Sequence, residues 1–169
     1  MTASSALATQ LVHVLTAAGQ SVGTAESLTG GRLCAALVDV PGASAVVRGG
    51  IVAYAADVKV AVLGVPADVV DRHGAVAAVT ARTMAERART LLGADWGVAT
   101  TGAAGPTGSE GQPPGRAHIG VAGPARVVDR VLDIAGDRDA VRSGTVRAAL
   151  VFLLDEVANH ATAGTSSDG

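Results

Sequence analysis

The 169-residue sequence has a single cysteine, few aromatic residues and no cluster of positive charge. Cys34 excludes an internal disulfide because it has no partner, and the four scattered histidines form no spacing typical of a zinc site. We therefore expect no metal site, and a reducing cytoplasm fits this cysteine content. Only Phe152, Trp96 and Tyr54 are aromatic, so the core must consist mainly of small aliphatic side chains.

Charge and hydropathy exclude two further classes of protein. The formal net charge is only −2 and lysines and arginines do not cluster, which argues against binding to nucleic acid or to a membrane surface through bulk electrostatics. Residues 1–20 lack the basic and apolar regions of a signal peptide, and no apolar run approaches the roughly 18 residues of a membrane span. We expect a soluble, unexported protein that binds a small, specific ligand.

Helical and strand patterns alternate along the first two-thirds of the chain, and a hairpin and a closing helix follow. The patterns predict helices over 6–18, 30–38, 55–63, 66–72, 80–92 and 137–158, and strands over 21–25, 45–54, 95–101, 117–122 and 127–134. This order predicts one α/β domain, residues 1–160, built as a three-layer α/β/α sandwich around a mixed, mostly parallel sheet. The small polar residues of 161–169 predict a disordered tail.

The run from Thr24 to Arg32 lies between a predicted strand and a predicted helix, and Ser27 stands at the junction. The first N–H groups of a helix lack intrahelical partners and carry partial positive charge, so an anion or a developing oxyanion is stabilised there. Ser27 is therefore a candidate nucleophile. The alternative is that Ser27 or Thr29 only caps the helix, as serine and threonine often do.

A serine nucleophile without a histidine needs another base, and Lys59 follows the predicted strand that ends at Tyr54. A lysine can act as the base when desolvation lowers its pKa toward neutrality. Tyr54 could orient that lysine or share its proton. On spacing alone, Lys59 could equally lie on the solvated face of a short helix, and Tyr54 could be an ordinary amphipathic residue at a strand end.

A second glycine-rich loop, 101–108, follows another predicted strand, and Arg138 opens the last helix. The loop lacks both the Gly-x-Gly-x-x-Gly spacing and the Gly-Lys-Ser/Thr ending of common nucleotide sites, so it is a weak nucleotide signal. Arg138 could clamp a phosphate, or it could pair with Asp137 or Asp139 on the surface. Ligands of open α/β sheets bind at the carboxyl ends of the strands. We therefore expect this loop to meet the strand-to-helix corner at Ser27 and the segment 54–59.

Taken together, the motifs resemble those of the CinA C-terminal domain family, the PncC-type nicotinamide mononucleotide deamidases, from about residue 7 to residue 158. The motifs that carry the resemblance are Ala25-Glu26-Ser27-x-Thr29-Gly30-Gly31, Asp39-Val40-Pro41-Gly42, Gly50-x-Val52-x-Tyr54 with Lys59, His73-Gly74-Ala75-Val76, Thr101-Gly102-x-Ala104-Gly105-Pro106 and Gly136-Asp137-Arg138.

The resemblance implies hydrolysis of the carboxamide of nicotinamide mononucleotide to nicotinic acid mononucleotide and ammonia, without metal or organic cofactor, in a role such as NAD recycling. It implies that Ser27 attacks the amide carbon, that Lys59 transfers the proton and that Tyr54 supports the lysine. N–H groups at the start of the helix, Thr29 to Gly31, would bind the oxyanion. The residues implied to hold the substrate are Glu26, Thr29, Gly30, Gly31, Thr101, Gly102, Gly105 and Arg138, and a homo-oligomer is expected.

The sequence departs from the family pattern beside the expected base. Ala55 and Ala56 replace a serine and an asparagine, which removes two polar side chains near Lys59, and 111–115 and 76–78 have lost charged residues. Leu28 replaces the usual cysteine of the first motif. Two alternatives therefore stay open: a catalytically silent module of the same fold that binds a nucleotide or a protein, and a hydrolase for another small amide.

Overall fold

Five strands form one sheet at the centre of the computed structural model, which describes residues 3–165. The strands are β1 (Val22–Glu26), β2 (Val47–Val52), β3 (Trp96–Gly102), β4 (Arg116–Ala122) and β5 (Val127–Asp133). The helices are α1 (Ala3–Ala18), α2 (Arg32–Val38), α3 (Ala56–Ala61), α4 (Ala67–His73), α5 (Ala78–Leu91) and α6 (Arg138–Thr165), and a 3-10 turn, Ala43–Ala45, precedes β2.

The strand order is β2-β1-β3-β4-β5, and the sheet is mixed. β1 is parallel to both β2 and β3, whereas β3 with β4 and β4 with β5 are antiparallel. The α/β class is confirmed, but the expectation of a mostly parallel sheet is wrong because only half of the pairings are parallel. β4 and β5 form the expected hairpin, closed by a 2.9 Å hydrogen bond from the Gly123 N–H to the Arg126 carbonyl. The unexpected pairing is that of β3 with β4, which is antiparallel although a long loop joins the two strands.

Helices cover both faces of the sheet, which gives the predicted three layers. α1, α2 and α6 pack on one face through larger aliphatic side chains such as Leu11, Leu37 and Leu150. α5, with α3 and α4 beside it, packs on the other face through Met84 and several alanines. α5 lies so close to the sheet that a Cβ on Gly97 or Gly120 would collide with a carbonyl oxygen of that helix.

Most predicted bounds lie within three residues of the observed ones, but two elements need a correction. The predicted strand over 45–54 begins only at Val47, because the chain first makes the 3-10 turn, and ends at Val52. α6 continues to Thr165, so residues 161–165, predicted as part of a disordered tail, are helical. The rest of that predicted tail, 166–169, lies outside the described residues, as do residues 1–2.

The parallel strands position the site. β1, β2 and β3 end at the same edge of the sheet, and β4 begins there. Ser27, Tyr54 and the loop after Gly102 therefore leave the sheet side by side, although they are far apart in the sequence.

Candidate active site

Ser27 directly follows β1 and is held on both sides by the main chain of neighbouring strands. Its N–H donates to the carbonyl of Thr100 at 2.9 Å, and the carbonyl of the preceding residue, Glu26, accepts from the N–H of Ala53 at 2.9 Å. These bonds continue the parallel ladder one residue beyond the strand. The position of the Ser27 hydroxyl is thus set by the sheet rather than by a free loop.

Glu26 turns its side chain away from the cavity and caps the first turn of α2. The carboxylate is 1% exposed and accepts from the N–H groups of Gly31 and Leu33 at 3.0 Å each and of Cys34 at 2.8 Å. The Thr29 hydroxyl donates to the same carboxylate at 2.7 Å. The amides that would otherwise lie free at this helix start are therefore already occupied by a side chain of the protein.

Lys59, the only lysine of the chain, points inward from the short helix α3 and is 2% exposed. Its Nζ lies 3.0 Å from the Oγ of Ser27 and donates to the carbonyls of Ala53 and Tyr54, also at 3.0 Å. The structure thus rejects the alternative of a solvated lysine. Since both carbonyls belong to the main chain, Ala55 and Ala56 deprive the amine of neither partner.

Burial lowers the pKa of the Lys59 ammonium, and the negative charge of Glu110 opposes this shift. The three oxygen partners match the three N–H groups of the ammonium, and the same positions can also serve the neutral amine. Two N–H groups can serve the carbonyls of Ala53 and Tyr54 while the lone pair faces the Ser27 hydroxyl. This is the arrangement a general base requires before it takes a proton from a serine.

Tyr54 contributes through its backbone as well as its ring. Its carbonyl lies 3.3 Å from the Ser27 Oγ in addition to accepting from Lys59, whereas its ring is 58% exposed. The phenol oxygen accepts from Nη2 of Arg138 at 2.9 Å, and Nη1 of the same guanidinium donates to the carbonyl of Gly105 at 3.0 Å. Arg138 therefore joins the Tyr54 segment to the second glycine loop across the mouth of the site, and pairs with neither Asp137 nor Asp139.

A cavity of about 270 Å³ opens above the Ser27–Lys59 pair. The predicted residues that line it are Ser27, Tyr54, Lys59, Thr101, Gly102, Gly105 and Arg138. Four other predicted residues do not line it, namely Glu26, Thr29, Gly30 and Gly31. Thr29 is fully buried and its hydroxyl also lies 2.7 Å from that of Thr100, while the Gly30 N–H donates to the Ser27 carbonyl at 3.0 Å.

Glu110 also lines the cavity, although no sequence motif pointed to it. Its Oε2 accepts from the N–H of Ala75 at 2.5 Å. One signal was available, since Glu110 is the only charged residue between Thr101 and Arg116. The hydroxyl of Thr101 is likewise occupied, because it donates to the Ala75 carbonyl at 2.6 Å.

Within residues 3–165, no group of three or more His, Cys, Asp or Glu residues could hold a metal ion. In the same part of the chain, no helix has the length and the apolar composition needed to cross a membrane.

The chain is similar to proteins of one family over almost its whole length. The family model described as the CinA C-terminal domain matches residues 4–157. A CinA-like protein of Frankia casuarinae is 49% identical over 130 residues, which cover 77% of this chain and 30% of that protein. A CinA-like protein of Anaeromyxobacter dehalogenans is 47% identical over 144 residues, 85% of this chain and 35% of that protein. The chain thus spans about a third of the length of these curated relatives.

Solved structures show the same fold over the full domain. A crystal structure of a competence-damaged protein (CinA) superfamily protein from Klebsiella pneumoniae is 33% identical with a TM-score of 0.89, covering 92% of this chain and 98% of that one. A competence/damage inducible protein from Agrobacterium tumefaciens is 36% identical with a TM-score of 0.88, covering 92% and 96% respectively.

Proposed function

The chain belongs to the CinA C-terminal domain family, and from this premise and the Ser27–Lys59 pair we propose that it is an amidohydrolase acting on nicotinamide mononucleotide. The proposed reaction converts the carboxamide to the carboxylate of nicotinic acid mononucleotide, consumes one molecule of water and releases ammonia. The observation that carries the proposal is the buried amine of Lys59, 3.0 Å from the Ser27 hydroxyl at the wall of a cavity.

In the first half of the proposed reaction, the Ser27 Oγ attacks the carboxamide carbon while Lys59 takes the hydroxyl proton. Lys59 then delivers that proton to the departing nitrogen, the C–N bond breaks and ammonia leaves an ester on Ser27. In the second half, Lys59 takes a proton from a water that attacks the ester, and returns it to Ser27 as the acid leaves. Each proton passes through the same amine, whose two carbonyl partners hold it in place throughout.

The proposed oxyanion donor differs from the one the sequence suggested. The Gly30 and Gly31 amides donate within the corner, to Ser27 and Glu26. The N–H of Leu28 follows the nucleophile, belongs to a residue that lines the cavity and has no acceptor among the described residues. An amide placed directly after a nucleophile commonly serves this purpose, and one such donor is worth about 3–4 kcal/mol in the transition state.

At the mouth of the cavity we propose that Arg138 holds the phosphate and that Gly102 and Gly105 allow the ribose to approach the main chain closely. Arg138 is exposed and donates to only two acceptors among the described residues, so guanidinium N–H groups stay available for an anion. These roles support a nucleotide rather than a bare amide as the substrate.

The test is ammonia release from nicotinamide mononucleotide, with the product identified by chromatography. Ser27→Ala and Lys59→Ala should each lose at least about 10³-fold in turnover. Ser143→Ala is the matched control, since it removes a hydroxyl from the exposed side of α6 and should keep full activity.

Two outcomes would contradict the proposal. A wild-type protein that binds the nucleotide but releases no ammonia would be a silent binding module. A wild-type protein that hydrolyses another small amide instead would keep the Ser27–Lys59 chemistry and change the substrate.

A further inference from the structure

Glu110 occupies an unusual backbone position beside the cavity. With Gly111 it forms the two-residue turn of a small hairpin, in which Ser109 and Gln112 exchange backbone hydrogen bonds of 2.9 and 3.0 Å. Its φ is +50°, and it is the only non-glycine residue of the described chain with a positive φ. Such turns favour asparagine, aspartate or glycine, so a glutamate here suggests a purpose for its side chain.

The carboxylate brings a charge of opposite sign into a site that is otherwise cationic. Among the described residues that line the cavity, Glu110 is the only carboxylate, while Lys59 and Arg138 are the only cationic side chains. Glu110 acts electrostatically on Lys59, yet it accepts no hydrogen bond from that amine and is anchored instead by the N–H of Ala75 at 2.5 Å. When Lys59 is neutral, as a general base must be, Arg138 is the only cation left among the described lining residues, and its guanidinium is held by Gly105 and Tyr54 rather than by Glu110.

We propose that Glu110 is a specificity-determining residue that selects a carboxamide carried on a cationic ring, the pyridinium of an N-ribosylated nicotinamide, over the same amide on a neutral ring. The inference rests on the proposed function and extends it to the charge of the substrate. The phosphate would meet Arg138 while the positive ring meets Glu110, and both of these exposed residues line the cavity. Because Glu110 is exposed, solvent screens such a pair of opposite charges, and we expect it to favour the charged ligand by about three- to tenfold.

The ligands for the test are nicotinamide mononucleotide and its reduced 1,4-dihydro form, which have the same ribose, phosphate and carboxamide but differ in ring charge. Their dissociation constants are measured on Ser27→Ala protein, which should bind without turnover, with and without Glu110→Gln. Glutamine keeps an oxygen that can accept from the Ala75 N–H, so it removes the charge while the turn can persist. Asp139→Asn is the matched control, because it makes the same change in net charge outside the cavity.

The expected result is a preference for the oxidised nucleotide that falls about three- to tenfold with Glu110→Gln and is unchanged with Asp139→Asn. An unchanged preference, or an equal loss of affinity for both ligands, would overturn the proposal and reduce Glu110 to a residue that holds the turn.

A second measurement shows whether the charge of Glu110 reaches the reacting groups. Since Lys59 is the only lysine, lysine labelled with ¹³C at Cε gives a single side-chain signal whose titration reports one amine. Glu110→Gln should move that titration to lower pH because Glu110 raises the pKa of Lys59. The proposed function has a separate test, which is ammonia release by the wild type. The ratio of the two dissociation constants does not depend on turnover, so each proposal can fail without the other.

Discussion

Replacing Glu26 with glutamine tests the conclusion that this residue holds the corner together and does not bind the ligand. The Oε2 of Glu26 accepts from the Thr29 hydroxyl and from the amides of Gly31 and Leu33. Its Oε1 accepts from the Cys34 amide at 2.8 Å and from the Thr24 hydroxyl at 3.4 Å. Glutamine can keep its oxygen on the side with three donors only by turning its NH₂ group toward Cys34 and Thr24. A donor would then face the Cys34 N–H, which loses its acceptor.

The size of the effect follows from these contacts. A hydrogen bond to a charged group contributes about 1.5–3 kcal/mol, and a buried donor left without a partner costs about 1–3 kcal/mol. We expect Glu26→Gln to lower the free energy of unfolding by about 3 kcal/mol. For a domain of this size each kcal/mol corresponds to about 2–4 °C, so Tm should fall by about 6–12 °C.

Thermal and urea unfolding followed by circular dichroism measure this change directly. Asp68→Asn serves as the control, because it removes an exposed i,i+4 ion pair with Arg72 and should stay within about 0.5 kcal/mol of the wild type. A Glu26→Gln protein as stable as the Asp68→Asn protein would refute the reasoning. It would mean that water or a shift of the chain satisfies the α2 amides without the carboxylate.

Three further predictions follow from single residues. Turnover should rise with pH as Lys59 loses its proton, with a midpoint below the 10.5 of a free lysine because burial lowers its pKa. A rate that shows no such rise anywhere in the pH range in which the protein stays folded would contradict Lys59 as the base. Burial, assisted by the positive charge of Arg116, also lowers the pKa of His118, whose ring is 8% exposed and has no hydrogen-bond partner within the described residues. The unfolded state therefore binds the proton first, so Tm should fall as pH drops below 6.5, and His118→Leu should flatten that part of a Tm profile. Gly120→Ala should destabilise the domain by at least about 3 kcal/mol because its Cβ would meet the main chain of α5. Gly111→Ala has open space and should cost only about 1–2 kcal/mol for its positive φ, and equal urea midpoints for the two variants would contradict this.

The periodicity of apolar residues was sufficient to predict the helices and strands, because it depends only on the residues within each short segment. The direction of strand pairing was harder to predict: the hairpin between β4 and β5 was recognised, but β3 and β4 are joined by a long loop that allows either direction. The error in the expected sheet type comes from this pairing.

At the site, Ser27 and Lys59 were both predicted as candidate residues, and the structure places them in contact. Their separation of 32 residues in the sequence does not by itself indicate that contact. Glu26 was predicted to hold the substrate but caps α2, and the reason is physical. A sequence shows that a helix start has unpaired amides, but it does not show whether a ligand or a neighbouring side chain satisfies them. The contact between the Tyr54 carbonyl and Lys59 could not be predicted from the sequence either, since every residue type supplies the same carbonyl oxygen.

The confinement of the only lysine to the cavity has a consequence for studies of assembly. Reagents that crosslink protein copies through amines act mainly on accessible ε-amino groups, and Lys59 is 2% exposed. A negative result with such a reagent would therefore say nothing about whether the expected homo-oligomer forms. Light scattering, or crosslinking through the exposed carboxylates of residues such as Asp68 and Asp155, would be informative where amine chemistry is not.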